Sequence, residues 1–247
     1  MCKSVDASDP SNYRPISVLH VLSKIIEWHV HDSLYGFLCE NYLIYSRQSG
    51  FRKRHSIETA LVKIIDYLLF ELDKNWVGGM VLVDYSKAFD MVDHQLLVEK
   101  LNIYRVKNRE HLWFQSYLSN RKQMVSLSGK ESDLASLNHG VPHGSILGPL
   151  FFIIFINNLP LHVTSQIQLY ADDKTTATAS ADYRSMVQLE ETLHEHICCG
   201  DSNWAEANKH PLSDEKTNIL MVTGKRLASR LDEQPTIVIN GNKVVFQ

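Results

Sequence analysis

At 247 residues, 44% of them hydrophobic, the chain has the length of one large domain or two small ones and enough apolar content for a real core. Its formal charge of −3 argues weakly against a domain that is basic overall and tracks a phosphate backbone. With no charged-then-apolar leader, and with its longest strongly apolar run (149–156) too short to cross a bilayer, a soluble intracellular protein without a membrane partner is expected.

Residues 1–12 are polar and read as loose, with Asp9-Pro10-Ser11 as a turn signal. Beyond them Leu19, Leu22, Ile26, Val30, Leu34 and Leu38 recur at helical spacing and predict an amphipathic helix over 18–38. A basic, glycine-containing loop follows, in which Arg47, Arg52, Lys53 and Arg54 stand without an acid between Asn41 and Ser56. Ser56, with Thr59 behind it, is a weak cap for a second helix over 57–72, and Gly78-Gly79 reads as its stop. Met80-Val81-Leu82-Val83-Asp84 is then a short apolar strand, covered on both faces, whose terminal acid emerges from the core.

Further helices are expected from Asp93 to about Tyr104 and over 110–119, and strands over 123–128 and 134–137 around Gly129-Lys130. A loop punctuated by Gly140, Pro142 and Gly144 runs into a helix over 147–157. Residues 183–208 read as one long helix, 219–223 as a strand, and 237–245 as a hairpin turning on Asn240-Gly241. The four cysteines, Cys2, Cys39, Cys198 and Cys199, have no disulfide or zinc-ribbon spacing. In His194-Glu195-His196-Ile197-Cys198-Cys199 only His194 and Cys198 share a helix face, so two ordinary histidines are the default over a zinc site.

The alternation of Ser165 to Tyr170 and the Thr-rich 174–178 predict a β-hairpin with Asp172 and Asp173 at its tip. Adjacent carboxylates repel each other and gain nothing from burial unless a cation joins them. Alone, they read as well as a solvated turn. Three features nevertheless stand in one order: a core strand ending on Asp84, a glycine loop over 140–145, and the acids 172 and 173. Phosphoryl transfer needs placed charge more than covalent help. Two Mg²⁺ ions about 4 Å apart serve the attacking and leaving oxygens, with carboxylates to hold them. Asp84, Asp172 and Asp173 are that minimum set, and Mn²⁺ accepts the same donors.

Five stretches carry a resemblance. They are Asn12-Tyr13-Arg14-Pro15-Ile16-Ser17 with Leu22-Ser23-Lys24-Ile25 downstream, Gln48-Ser49-Gly50-Phe51-Arg52, Asp84-Tyr85-Ser86-Lys87-Ala88-Phe89-Asp90, the loop Gly140 to Pro149, and Tyr170-Ala171-Asp172-Asp173. In this order, from Asn12 to about Leu220, the chain resembles the reverse transcriptase domain of non-LTR retrotransposons, the LINE-like elements of the jockey and chicken-repeat kind.

The resemblance implies an α+β right-hand polymerase fold: helical fingers over 13–79, a palm over 80–223 with an antiparallel sheet flanked by helices, a C-terminal hairpin segment over 224–247, and a thumb largely absent. It implies RNA-directed DNA synthesis, with an RNA template, a DNA primer and deoxynucleoside triphosphates as partners, and it adds the nucleus as a compartment open to the protein. By motif position Asp84, Asp172 and Asp173 would be the catalytic metal ligands, and Tyr85 would lend a backbone carbonyl. Phe89 would lie under the incoming sugar and select the deoxy form, while Asp90 reads as structural. Arg52 with Lys53 would face the triphosphate, a solvated basic loop being the alternative.

His143, beside Gly144, stands where the family usually has Gln and would contact the nucleotide; His55 stands where Arg is common. Lys216 resembles a proton donor to pyrophosphate, though a surface lysine reads nearly as well. The chain ends at Gln247 soon after the palm, so a weak grip on template and primer is expected. A genomic relic of such an element, with at most residual nucleic-acid binding, stays open as the alternative.

Overall fold

The computed structural model describes residues 16–245, apart from 86, 128, 164–165, 172–174, 183–185, 214–215, 225–235 and 240–241. The chain folds into two compact units, each built from two stretches of sequence: 1–43 with 89–155, and 44–88 with 156–247. They cut across the expected boundary at 79/80, because the 13–79 segment divides at Leu43 and the 80–223 segment is shared.

The second unit is a sheet with helices. Helix α2, Ile57–Asp73, is held at its start by a full capping box rather than a weak cap. Thr59 N–H donates to Ser56 Oγ at 3.3 Å, and Ser56 N–H donates to Thr59 Oγ1 at 3.0 Å. These bonds satisfy amides that the first turn would otherwise leave orphaned. The helix ends before the glycines, with Asn75 in the left-handed region (φ 60), a conformation Asn tolerates.

Strand β1, Trp76–Val83, thus runs through Gly78-Gly79 instead of beginning after them. A Cβ on Gly78 would lie 2.9 Å from Leu68 Cδ2 of α2, and one on Gly79 would lie 2.5 Å from Leu193 Cδ1. The glycines are gaps for packing, not a helix stop. Strands β6 (Gln166–Leu169), β7 (Thr175–Asp182) and β8 (Asn218–Val222) complete a sheet of order β6-β7-β1-β8 in which every pairing is antiparallel. The strand predicted to be covered on both faces pairs on both edges, and its residues 77–83 are buried or half-buried on alternating faces alike.

The long helix expected over 183–208 breaks into α6 (Met186–Glu195), a π-helical segment (His196–Asp201) and α7 (Ser202–Ala207). A Cβ on Gly200 would lie 3.0 Å from Val163 Cγ2, so a side chain there would require its neighbours to give by a few tenths of an ångström. Strands β9 (Thr236–Ile239) and β10 (Asn242–Val245) pair as the predicted hairpin, whose Asn240-Gly241 turn lies outside the described residues.

The first unit is mostly helical: α1 (Val21–Glu40), α3 (His94–Ile103), α4 (Asn108–Leu118) and α5 (Leu147–Ile156). Helix α5 is apolar all round and buried along nearly its whole length, the pattern of a core helix. Helix α1 buries Glu27, Leu34, Tyr35 and Leu38, whereas Leu22 and Ile26 of the predicted stripe are exposed. Asp93 caps α3 by accepting from Leu96 N–H at 3.0 Å. The strands expected over 123–128 and 134–137 are two short ribbons: β2 (Arg121–Gln123) pairs with β5 (Ala135–Leu137), and β3 (Ser126–Leu127) with β4 (Lys130–Glu131). Among the described residues no helix is long and apolar enough to cross a membrane.

Candidate active site

Asp84 follows β1 at the point the apolar run predicts. Register places its neighbours: Val83 pairs with Thr175, and Thr175 pairs on its other side with Leu169. The five residues 170–174 therefore connect the strands at the same end of the sheet from which Asp84 emerges. Asp172 and Asp173 belong to that connection and lie outside the described residues.

The backbone around Asp84 is tied down. Its carbonyl accepts from Ser213 N–H at 2.8 Å, and Tyr85 bridges Leu212. Thr217 Oγ1 donates to the Ser213 carbonyl at 2.9 Å, closing a turn that carries Lys216. Lys216 Nζ stands 3.8 Å from Asp84 Oδ2, and its side chain is 65% exposed. The pairing is loose and wet, worth little to stability, but it leaves an ammonium beside the carboxylate.

Beneath the strand end, the Tyr85 ring is buried against Trp204 and His210, with centroids 5.4 and 5.3 Å away. Its hydroxyl donates to Asp201 Oδ1 at 3.4 Å. Asp201 Oδ2 lies 3.5 Å from His196 Nε2, and both side chains are fully buried. Burial pushes the Asp201 carboxyl up to about 8, only partly offset by the Tyr85 bond, and pushes the His196 imidazole down to about 4. Loss of hydration penalises both charged forms, so the two meet as neutral partners. The π segment brings them together, a pairing that an unbroken helix with two ordinary histidines does not predict.

The Gln48-Ser49-Gly50-Phe51-Arg52 stretch lies along the edge of β6. Gln48 bridges Leu169 in parallel, Ser49 N–H donates to the Leu169 carbonyl at 2.8 Å, and Gln168 Nε2 donates to Ser49 Oγ at 2.9 Å. Gly50 is the tightest point: a Cβ there would lie 2.0 Å from the Ala171 nitrogen. Ala171, immediately before Asp172, is itself left-handed (φ 53). Arg52 turns back on this loop, donating from Nη1 to the Tyr45 and Gln48 carbonyls at 3.1 Å each, while Lys53 is exposed. The structure thus brings Arg52 to its own loop's carbonyls.

The first unit holds the other predicted residues. Phe89 stacks on Phe152 with centroids 4.9 Å apart and meets His143 at 5.7 Å. Asp90 and His143 are joined, Nε2 to Oδ1, at 3.0 Å. The glycine loop closes on the same backbone: Val141 N–H donates to the Phe89 carbonyl at 2.9 Å, and Gly140 N–H to the Val92 carbonyl at 2.8 Å. Gly140 (φ +85) and Gly144 (φ +98) take conformations open to glycine, and a Cβ on Gly140 would lie 2.9 Å from the Asp90 carbonyl oxygen.

A further polar anchor escaped the sequence. Glu27, buried in α1, accepts from Ile146 N–H at 2.8 Å and from the Tyr117 hydroxyl at 2.7 Å. Burial first, and the bond to Glu27 second, raise the Tyr117 hydroxyl.

Among the described residues no group of three or more His, Cys, Asp or Glu could hold a metal ion. Of the three predicted ligands, only Asp84 is among them. Its donor chemistry fits a hard divalent cation, which takes oxygen ligands, and Val83 before it pairs with Thr175.

Comparison with known proteins matches residues 3–238 to the family described as reverse transcriptase (RNA-dependent DNA polymerase). The RNA-directed DNA polymerase from mobile element jockey of Drosophila melanogaster is 28% identical, over 96% of this chain and 26% of its own length. A probable RNA-directed DNA polymerase from transposon BS of the same organism is 32% identical over 157 residues, 61% of this chain and 17% of that protein. The chain thus spans about a quarter or less of the curated relatives it matches. Among solved structures, telomerase from Candida tropicalis superposes with a TM-score of 0.57 at 14% identity, covering 83% of this chain and 34% of that one, which shows a shared α+β fold. With nearly its whole length matched, the chain belongs to the reverse transcriptase (RNA-dependent DNA polymerase) family.

Proposed function

We propose that the chain extends a DNA primer on an RNA template from deoxynucleoside triphosphates, with Asp84, Asp172, Asp173 and the Tyr85 carbonyl as the ligands of its divalent metal. The observation that supports this reading is the register of β6, β7 and β1: Leu169 and Thr175, which flank the segment 170–174, pair with each other, and Thr175 pairs with Val83, the residue before Asp84. Bound Mg²⁺, or Mn²⁺, would supply activation of the primer 3′-hydroxyl and neutralisation of the leaving pyrophosphate.

The chain's own residues do the remainder. Tyr85, fixed by its buried ring and hydroxyl, keeps the backbone beside Asp84 from shifting. Phe89, propped on Phe152, is a floor under the sugar that leaves no room for a 2′-hydroxyl. His143, oriented by Asp90, contacts the nucleotide beside Gly144. Lys53 attracts the triphosphate, and Arg52 stiffens the loop that carries it. Lys216, exposed beside Asp84, donates a proton to the departing pyrophosphate.

Primer extension on an RNA template, followed for the wild type and for Asp84→Asn, Asp172→Asn and Asp173→Asn, tests the reading. Each substitution removes several kcal/mol of transition-state charge stabilisation, on the order of 10³-fold in rate. Equal extension by all four proteins would sink the assignment, and no extension by any of them would favour a relic without turnover. In an active protein, Phe89→Val should raise ribonucleotide incorporation relative to deoxynucleotide. Unchanged sugar selection would remove Phe89 from its role.

A further inference from the structure

We propose that a groove between α1 and the α3–α4 turn binds single-stranded RNA, independently of the carboxylate site. The groove encloses about 560 Å³, a size suited to a base with part of its backbone. Its floor is apolar, made by Leu34, Val106 and Phe114, all buried. Trp113 forms a wall, its ring braced by Tyr117 stacked at 5.2 Å and by the edge of Phe114 at 5.1 Å.

The rim carries the opposite chemistry. Arg105, Lys107 and Arg109 stand within one short turn, shaped by left-handed backbone at Arg105 (φ 67) and Asn108 (φ 55). All three are exposed, and none meets a carboxylate among the described residues. Glu110 is the one acid lining the groove. In a chain of net charge −3, three such cations over an aromatic slot form a local anion site. A strand of nucleic acid answers both halves, since each nucleotide offers a π-face to stack and a phosphate to pair. An apolar helix from a protein partner would fill the floor but strip water from the three cations with nothing in return. RNA is preferred over DNA because the chain's family copies RNA; to that extent the proposal rests on the polymerase reading.

The test is fluorescence anisotropy of the full chain with a labelled, unstructured RNA of about 12 nucleotides, in EDTA and without nucleotide, across a salt series. Joint replacement Arg105→Ala, Lys107→Ala and Arg109→Ala should weaken binding by about tenfold or more at low salt and lower the salt slope by about 2, at roughly 0.7 per phosphate contact. Trp113→Ala should weaken it by about fivefold or more, and Trp113→Phe should restore most of the loss by keeping a stacking ring. Asp84→Asn, which would abolish extension, should leave this binding unchanged, so the two readings can fail separately. Circular dichroism of each variant establishes that it is folded. The proposal is overturned by an unaltered affinity and salt slope in a folded triple variant. It is equally overturned by tighter binding of DNA of the same sequence, or by displacement of RNA by polyglutamate with Trp113→Ala without effect, which would assign the rim to an acidic protein.

Discussion

Asp84 and Phe89 are close neighbours in sequence, yet the protein holds them by different means. Asp84 is fixed through backbone: β1 is bonded on both edges, the Asp84 carbonyl is gripped by Ser213, and the next residue drives its ring into a buried cluster. Phe89 is fixed through side chains, stacked on Phe152 beside a half-exposed Asp90–His143 pair. A lattice of backbone bonds leaves a carboxylate little positional tolerance. A stack of rings yields more readily.

Glycines give the sharpest way to break this contrast. At Gly50 the neighbour is the Ala171 backbone, whose nitrogen would lie 2.0 Å from an added Cβ, and backbone cannot swing aside. Gly50→Ala should force the 48–50 segment off β6 and lower stability by about 3 kcal/mol or more, at the upper end of overpacking costs. At Gly144 a Cβ meets only the Ser17 carbonyl oxygen, at 3.5 Å, so Gly144→Ala pays for its φ of +98 alone, about 1–2 kcal/mol. Chemical denaturation of both variants measures the difference. Equal losses would mean that the two segments are held alike.

Much of this was legible because it depends on periodicity. The apolar run up to Val83, the wholly apolar α5 and the alternating 165–170 stretch announce a core strand, a core helix and a hairpin arm without tertiary information. What was not legible depends on partners far along the chain. Gly78-Gly79 reads as a stop until Leu68 and Leu193 are seen to need the room. Glu27 sits in an otherwise amphipathic helix, and nothing local says that Ile146 and Tyr117 will satisfy it. The π segment adds residues to a helix whose sequence carries no breaker except Gly200. At the site, motif order pointed to Asp84, Phe89 and His143, but Asp201 left no trace and His196 read as an ordinary histidine, because a buried acid and a buried imidazole look like surface polar residues until they meet.

The units also differ in what they bury. The second unit sets Asp201 against His196, two groups that can share neutrality. The first unit buries Lys100, whose Nζ donates to the Phe155 carbonyl and lies 4.3 Å from the Phe155 ring centre. Burial outweighs that ring's attraction and draws the ammonium from its ordinary 10.5 down to about 7. Across that window the unfolded chain binds a proton that the folded chain has released, so stability should rise with pH, by at most about 1.4 kcal/mol per pH unit. The contribution is whole above 10.5 and lost as pH falls toward 7. Lys100→Met keeps the shape and removes the titration. Denaturation midpoints from pH 7 to 10 should therefore favour the wild type progressively over the variant, whereas parallel curves would mean that Lys100 stays charged in the fold.

The smallest effect belongs to the Asp90–His143 pair, and it bears most directly on whether side chains in the first unit are held loosely. The two side chains are 43% and 29% exposed and 3.0 Å apart, a geometry in which solvent competes with the partner. Asp90→Asn keeps a hydrogen-bond acceptor for the His143 ring and removes only the charge, so stability should change by less than about 1 kcal/mol. Nucleotide use should be more sensitive. Without the carboxylate, the His143 ring loses the charged partner that orients it. If His143 contacts the nucleotide as proposed, KM for deoxynucleotide should rise in Asp90→Asn, while kcat changes little. A fall in kcat with KM unmoved would instead place Asp90 among the groups that stabilise the transition state, and the first unit would then be as tightly organised as the second.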